Sequence, residues 1–434
     1  MIAEVRLWGR RIGAVSMEPG QGVASFQYDP AFAKSGIELA PLTMPLSSRV
    51  YAFPELSRAT FHGLPGMLAD SLPDKFGNLL IDAWLASEGR DAGSFSAMER
   101  LCYTGSRGMG ALEYVPALGP ARQRSAKIRV DRLVELAGEV LAHRNDLKGF
   151  LHEEGKAEAL RDILRVGTSA GGARAKAVIA WNPETQEIRS GQIQAGEGFQ
   201  DWLLKFDGVE GNRDRELDDP RGFGAVEFAY HLMARAAGIR MSECRLLEEN
   251  GRRHFMTRRF DRLAGGEKLH MQSLCALAHF DFNQAGAHSY EQALLTIRKL
   301  GLPKDEVEQQ FRRMVFNIVA RNQDDHVKNI AFLMNQQGGW SLSPAFDVTY
   351  SYNPDGPWTS RHQMTLNGKQ DGFTMADFKA CADTALLKQG RYKSLVNEVL
   401  ETVRRWPEFA ADAAVSQDWT DKIQKTHRLR FPTA

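Results

Sequence analysis

The sequence predicts an α+β fold: a β-rich lobe, then a mostly α-helical lobe, preceded by a small α/β module. Three observations carry this. Short alternating apolar runs near the start are separated by Gly9, Pro19-Gly20 and Gly22. The stretch from Arg165 to Phe260 reads as strands around a Gly-rich turn and one helix. Beyond about residue 262 the apolar period is helical to the end, apart from one hairpin.

The module is placed at residues 1–122. Val5 and Leu7 alternate with charged neighbours, and Gly13–Met17 and Ala24–Tyr28 are two further strand-like runs. From Phe61 to Leu101 the period turns helical, with Leu79, Leu80, Ala83 and Trp84 on one stripe. Within it, His62 to Asn78 (HGLPGMLADSLPDKFGN) puts Pro and Asp at helix-start positions, which predicts capping. Gly105–Pro120 is turn-rich, and the polar ARQRS step at 121–125 marks a boundary. The β-rich lobe follows at 123–260. Ile128–Ala142 is helical, Arg165–Trp181 reads strand, turn, strand, and Asp201–Phe206 is a short apolar run bearing one lysine. Ala225–Ala237 is a helix stopped by Gly238. Met241–Leu247 and Arg253–Phe260 are strands joined at Glu249-Asn250-Gly251. In the helical lobe, 261–434, the hairpin is Ile330–Met334 with Trp340–Pro344.

Composition narrows the function classes. The chain has 434 residues, 43% hydrophobic and 25% charged, with 55 Lys plus Arg against 54 Asp plus Glu, a net +1. That balance argues against a surface coated in basic charge for gripping nucleic acid or an anionic membrane. Cys102, Cys244, Cys275 and Cys381 are too scattered for a zinc cluster or a disulfide framework, which fits a reducing cytoplasm. The start, MIAEVRLWGRRIG, lacks the apolar run of a signal peptide. A run of about 18 apolar residues, as a membrane span requires, is absent.

Three constellations carry chemistry. Val166 to Lys176 (VGTSAGGARAK) lies between two strands, where glycines let backbone N–H groups approach an anion. It matches neither the Walker nor the kinase glycine motif, so a ligand-free hairpin is the plainer reading. Lys205 in WLLKFDG is costly inside an apolar strand unless paired. It is either an edge-strand lysine snorkelling to water or a phosphate-pairing lysine whose carboxylate partner would be Glu227. Third, the helical stripe Val307, Phe311, Met314, Val315, Ile318 and Val319 runs into RNQDDHVKN, the hairpin, and Ser343–Asp347. Asp324 and Asn329 have the DxxxxN spacing of a kinase catalytic loop, and the hairpin returns the chain so that Asp347 can lie beside Asn329. Alone, DDHVKN is a polar helix terminus with Asp324 or Asp325 bonding backbone. The order of elements (Gly loop, strand lysine, helix glutamate, two-strand hinge, acidic loop, hairpin, aspartate) is the kinase order and favours the catalytic reading. His326 reads as a loop histidine packed beneath that loop. The polar loops QAGAHSY (284–290) and HQMTLNGK (362–369) are candidates for the substrate side.

SLPDKFGN, HFMTRRFDR (His254–Arg262), RNQDDHVKN and LSPAFDV together resemble the HipA family of toxins, the serine/threonine kinases of type II toxin–antitoxin pairs, over essentially the full length. The resemblance implies a kinase-like bilobal fold using ATP and Mg²⁺. Asp324 would be the catalytic aspartate, with Asn329 and Asp347 holding the metal. Gly171, Gly172, Ala173, Arg174 and Lys176 would form the phosphate loop, with Lys205 and Lys328 also on ATP and Arg258 to Phe260 as the hinge to adenine. Ser169, or its neighbour Thr168, would be the autophosphorylated residue that shuts the kinase off. Arg174 and Arg258 depart from the family's glutamine and glutamate, which bears on how the loop sits. A HipB-like helix-turn-helix antitoxin, operator DNA reached mainly through it, and a protein substrate such as an aminoacyl-tRNA synthetase are the implied partners. The rivals are a catalytically silent co-repressor module and a small-molecule phosphotransferase. The latter class usually has histidine two residues before the catalytic aspartate, where this chain has Asn322.

Overall fold

The computed structural model describes residues 1–18, 20–118, 127–143, 163–164, 174–192, 195–209 and 221–432. Thr168, Ser169, Gly171, Gly172 and Ala173 therefore lie outside the described residues. The chain forms two compact units. One comprises Met1–Arg221, Arg245–Met271 and Met334–Gly338; the other Gly222–Cys244, Gln272–Leu333 and Gly339–Ala434.

The first unit opens with β1 (Ile2–Leu7), β2 (Arg10–Ser16), β3 (Ser25–Tyr28), β4 (Val50–Tyr51) and β5 (Leu112–Val115), paired in the order β4-β3-β2-β1-β5. Their pairs are antiparallel. Ala3, Val5 and Leu7 of β1 are buried while their neighbours are not, the period-two signature of a half-buried strand. The three leading strands are as anticipated. β5 lies in the stretch read as turns: its Glu-Tyr-Val run is short, and only pairing with β1 declares it a strand.

The helical period over 61–101 resolves into α1 (Arg58–Phe61), α2 (Gly66–Ala69), α3 (Lys75–Ser87) and α4 (Ala97–Thr104). Gly63, Pro65, Pro73 and Gly89 break it, since proline cannot continue a helix and both glycines take positive φ. Asp74 caps α3 by accepting from the Gly77 amide at 2.6 Å, the capping role its sequence suggests. α5 is Val130–Ala142.

The second sheet of this unit contains β6 (Lys176–Trp181), β7 (Ile188–Ser190), β8 (Gln200–Lys205), β9 (Cys244–Glu249) and β10 (Arg252–Arg258), ordered β7-β6-β8-β10-β9. β8 is therefore central, which removes the edge-strand reading of Lys205. β7 was not anticipated, and the strand expected from Met241 begins at Cys244, because Met241 instead bridges Ala345. One core joins α3, α5 and this sheet, with Phe76, Leu80, Leu133, Ala137, Trp202 and Leu204 all buried in it. Burying a large apolar side chain is worth about 1.5–3 kcal/mol, so this shared core binds the leading module and the second sheet into one unit.

A charged knot follows β10. Asp261 is fully buried and accepts from Arg259 Nε at 2.9 Å, Arg259 Nη2 at 2.7 Å, Arg262 Nη1 at 2.7 Å and the Gly110 amide at 2.7 Å. Burial would raise its carboxyl pKa, but the two guanidinium groups and these bonds hold it well below the usual range. Arg262 also donates to the carbonyls of Gly108 and Gly110, both at 3.0 Å. The RRFDR segment thus ties the loop before β5 to the end of β10.

The second unit holds α6 (Phe223–Ala236), α7 (Leu274–Ala278), α8 (Tyr290–Lys299), α9 (Lys304–Val319), α10 (Met375–Thr384), α11 (Arg391–Arg404), α12 (Trp406–Asp412) and α13 (Gln417–Thr426). β11 (His270–Ser273), β12 (Ala331–Met334) and β13 (Trp340–Leu342) form a three-stranded sheet in that order. The hairpin β12–β13 is the anticipated one. β11 was missed because its alternating polar residues, His270 and Gln272, are buried rather than exposed. The apolar stripe of α9 is buried throughout, so this helix forms the base from which the acidic loop springs. No helix among the described residues is long and apolar enough to cross a membrane.

Candidate active site

α9 ends at Val319, and Arg321 then takes a left-handed backbone, φ +61°, that turns the chain out of the helix. Its guanidinium Nε anchors the turn by donating to the Thr426 carbonyl at 2.7 Å. Residues 322–326 carry no regular structure and lead into a single 3₁₀ turn, Val327–Asn329, and so into β12. The Asn329 amide nitrogen Nδ2 donates to the Asp324 carbonyl at 2.8 Å. That bond fixes the orientation of the side-chain amide and leaves its Oδ1 able to accept or to ligate.

Asp347 also has a left-handed backbone, φ +52°, uncommon for a residue with a Cβ and concentrated at functional positions. Asn322 Nδ2 lies 3.4 Å from its carbonyl and donates to Asn317 Oδ1 at 3.0 Å. Asn329 and Asp347 line one pocket of the second unit, together with Asn322, Asp325 and Phe346. The structure thus gathers Asn329 and Asp347, and places the Asp324 carbonyl on the Asn329 side chain.

The adjacent carboxylates Asp324 and Asp325 live in different worlds. Asp324 is about a third exposed; its Oδ1 accepts the Trp358 indole N–H at 2.7 Å, and His326 Nε2 lies 3.8 Å away. Asp325 is fully enclosed. Its Oδ1 accepts the Gln363 amide at 2.7 Å, and its Oδ2 accepts His362 Nδ1 at 2.7 Å and the Tyr290 hydroxyl. Arg428 Nη1 lies 2.8 Å from His362 Nε2. Guanidinium can only donate, so His362 Nε2 accepts and its proton sits on Nδ1, directed at Asp325. Burial alone would raise the Asp325 carboxyl; His362 and the hydrogen bonds from His362, Tyr290 and Gln363 bring it below its ordinary value. Asp325 is the structural carboxylate, and Asp324 is the one left able to exchange partners.

Tyr290, Trp358, His362, Gln363 and Arg428 were not named as functional from the sequence. The first four fall in or beside the two polar loops singled out there. His326 is half-buried with its ring 5.4 Å from Phe282, and Lys328 Nζ lies over the same ring at 5.1 Å. Glu227 is buried in α6.

In the first unit, Lys176 and Lys205 are directly opposed in the β6–β8 register, both buried. Directly opposed side chains share one face of the sheet with Cβ atoms about 5 Å apart. Lys176 Nζ is 3.8 Å from Asp74 Oδ2, and Lys205 Nζ lies 5.7 Å over the Phe255 ring. Arg174 is buried just before β6. Arg258, at the end of β10, is exposed, and Phe260 is half-buried. Two like charges on one buried face need negative charge nearby, and the Asp74 carboxylate supplies part of it.

The donors fit a hard divalent cation. One amide oxygen and one carboxylate at the same pocket suit Mg²⁺, which takes few protein ligands and completes its shell with water and phosphate oxygens. No group of three or more His, Cys, Asp or Glu with metal-site geometry occurs among the described residues.

Comparison with known proteins defines the class. Residues 3–115 match the HipA N-terminal domain and residues 168–406 the HipA-like C-terminal domain. The chain belongs to the HipA family. The solved Shewanella oneidensis MR-1 toxin–antitoxin complex of HipA, HipB and operator DNA is similar over 98% of this chain and 95% of that chain, at 17% identity and a TM-score of 0.68. The fold is therefore the HipA fold, mixed helix and sheet as anticipated. The Helicobacter pylori proinflammatory kinase CtkA aligns with 52% of this chain and 88% of its own, at 13% identity and a TM-score of 0.34. Nothing among the curated proteins matches.

Proposed function

We propose that this chain is an ATP- and Mg²⁺-dependent protein serine/threonine kinase, the toxin of a type II pair, restrained by a HipB-like helix-turn-helix antitoxin. The observation that carries the reading is the loop in which Asn329 bonds the Asp324 backbone while Asn329 and Asp347 line one pocket. Family membership and the HipB and operator DNA bound by the Shewanella relative support the toxin–antitoxin part.

In this reading Asp324 orients the attacking serine or threonine hydroxyl and accepts its proton. The hydroxyl oxygen bonds to the γ-phosphorus, the bond to the β–γ bridging oxygen breaks, and ADP leaves. Asn329 Oδ1 and the Asp347 carboxylate would hold Mg²⁺, which offsets phosphate charge when bound. Lys176 and Lys205 would contact the phosphates, with Arg174, Lys328 and the 258–260 segment completing the nucleotide site. Glu227 and His326 would act as supports. Ser169, with Thr168 as the alternative, would be the self-modified residue, and a translation protein such as an aminoacyl-tRNA synthetase the target.

The test is transfer from labelled ATP by wild type, Asp324→Asn and Asp347→Asn. Each variant should lose at least about a hundredfold, the usual contribution of a general base or metal ligand. Equal incorporation by all three sinks the site. Phosphopeptide mapping that misses both Ser169 and Thr168 sinks the self-modification.

A further inference from the structure

Resting on that kinase reading, we infer that Trp358 is a positioning residue for the catalytic base, fixing one oxygen of Asp324 so that the other faces the substrate hydroxyl. The segment 358–363 closes over the acidic loop by a series of hydrogen bonds. Trp358 Nε1 donates to Asp324 Oδ1 at 2.7 Å, and Gln323 Nε2 donates to the Thr359 carbonyl at 3.0 Å. His362 and the Gln363 amide hold Asp325, each at 2.7 Å. One short stretch of chain thus engages the side chains of Gln323, Asp324 and Asp325 in turn.

The choice of an indole has chemical content. Its N–H can donate but cannot accept, so it never competes for the proton that Asp324 is to receive. A carboxylate about a third exposed would otherwise rotate among water partners. The other nearby group, His326 Nε2 at 3.8 Å, is too far for a hydrogen bond. Anchoring Oδ1 leaves Oδ2 as the acceptor, a fixed direction for proton removal. Serine or threonine at this position would fill far less of the half-buried site that the Trp358 ring occupies.

Trp358→Phe keeps the ring and deletes the donor. It should lower kcat for phosphotransfer by about tenfold or more, as loss of a hydrogen bond to a charged group does, with KM for ATP and Tm unchanged. In an Asp324→Asn background the same substitution should cost nothing further, because its effect runs through the Asp324 carboxylate. Wild-type kcat in Trp358→Phe overturns the proposal. So does an equal loss in both backgrounds, or a raised KM with lowered Tm, each of which marks a mere packing role. A second readout is independent of turnover. The chain has eight tryptophans, and the indole ¹H–¹⁵N resonance missing from Trp358→Phe belongs to Trp358. That resonance should move in Asp324→Ala while the other indoles stay; an unmoved peak refutes the contact. If wild type transfers no phosphate while the peak does move, the kinase reading fails and the contact stands.

Discussion

Replacing Asp325 by alanine removes the most enclosed carboxylate of the acidic loop without touching the proposed base. Three donors lose their acceptor: the Tyr290 hydroxyl, His362 Nδ1–H and the Gln363 amide. A buried donor left unsatisfied costs about 1–3 kcal/mol, so the gross penalty is about 3–9 kcal/mol. Local relaxation and water entry bring such sites toward the low end, and we expect about 4 kcal/mol. At about 2–4 °C per kcal/mol for a unit of this size, Tm should fall by roughly 8–16 °C. Asp325→Asn keeps the shape and one acceptor oxygen, and should cost about half as much.

The pH dependence has a definite sign. The folded-state pKa of Asp325 lies below its unfolded value, so the stabilisation is present above the unfolded pKa and is lost as pH falls through the folded one. The Tm gap between wild type and Asp325→Asn should stay constant from pH 7 to pH 5 and narrow below about pH 4. The assay is a thermal melt followed by tryptophan fluorescence across that range. A Tm for Asp325→Ala within about 2 °C of wild type at pH 7, or a gap that widens in acid, refutes the reasoning.

Other outcomes follow from the same geometry. Asp261→Ala leaves Arg259 and Arg262 as buried charges without their shared carboxylate, and should cost about 3–5 kcal/mol, read as a lowered denaturant midpoint. Gly110→Ala must accept φ +73° and place its Cβ 2.9 Å from the Met271 amide nitrogen, so the first unit should lose about 2 kcal/mol or more, measured by urea unfolding. Lys205→Met keeps the apolar stem in the central strand and deletes the charge; Mg²⁺-ATP should raise Tm of wild type but not of this variant.

The acidic loop was legible because its chemistry is local. Asp324 and Asn329 sit five residues apart, and a hairpin of recognisable turn residues brings Asp347 back. The α9 stripe was equally clear from period alone. What stayed hidden is held by distance in sequence. Asp325 meets Tyr290, His362 and Gln363 across 35 to 38 residues, and Arg428 enters from 66 residues beyond His362. No local pattern marks such partners, although their loops were noticed for polarity. β11 escaped for the opposite reason: buried histidine and glutamine inverted the alternation that announces a strand. HFMTRRFDR was read as a family signature, with Arg258 to Phe260 as the implied hinge. Its Arg258 and Phe260 retain that proposed role, while Arg259, Asp261 and Arg262 form a buried knot with Gly108 and Gly110, a use of the motif that only three-dimensional contacts reveal.

Asp74 works on two fronts at once. One carboxylate oxygen caps the first turn of α3, and the other lies 3.8 Å from the Lys176 ammonium at the head of β6. The leading module and the second sheet are therefore tied by charge as well as by apolar packing. A substitution at Asp74 would be felt on both sides of that seam: α3 would lose its cap, and the buried Lys176 would lose a counterion. The opening of one helix and the charge balance of one strand thus depend on a single short side chain.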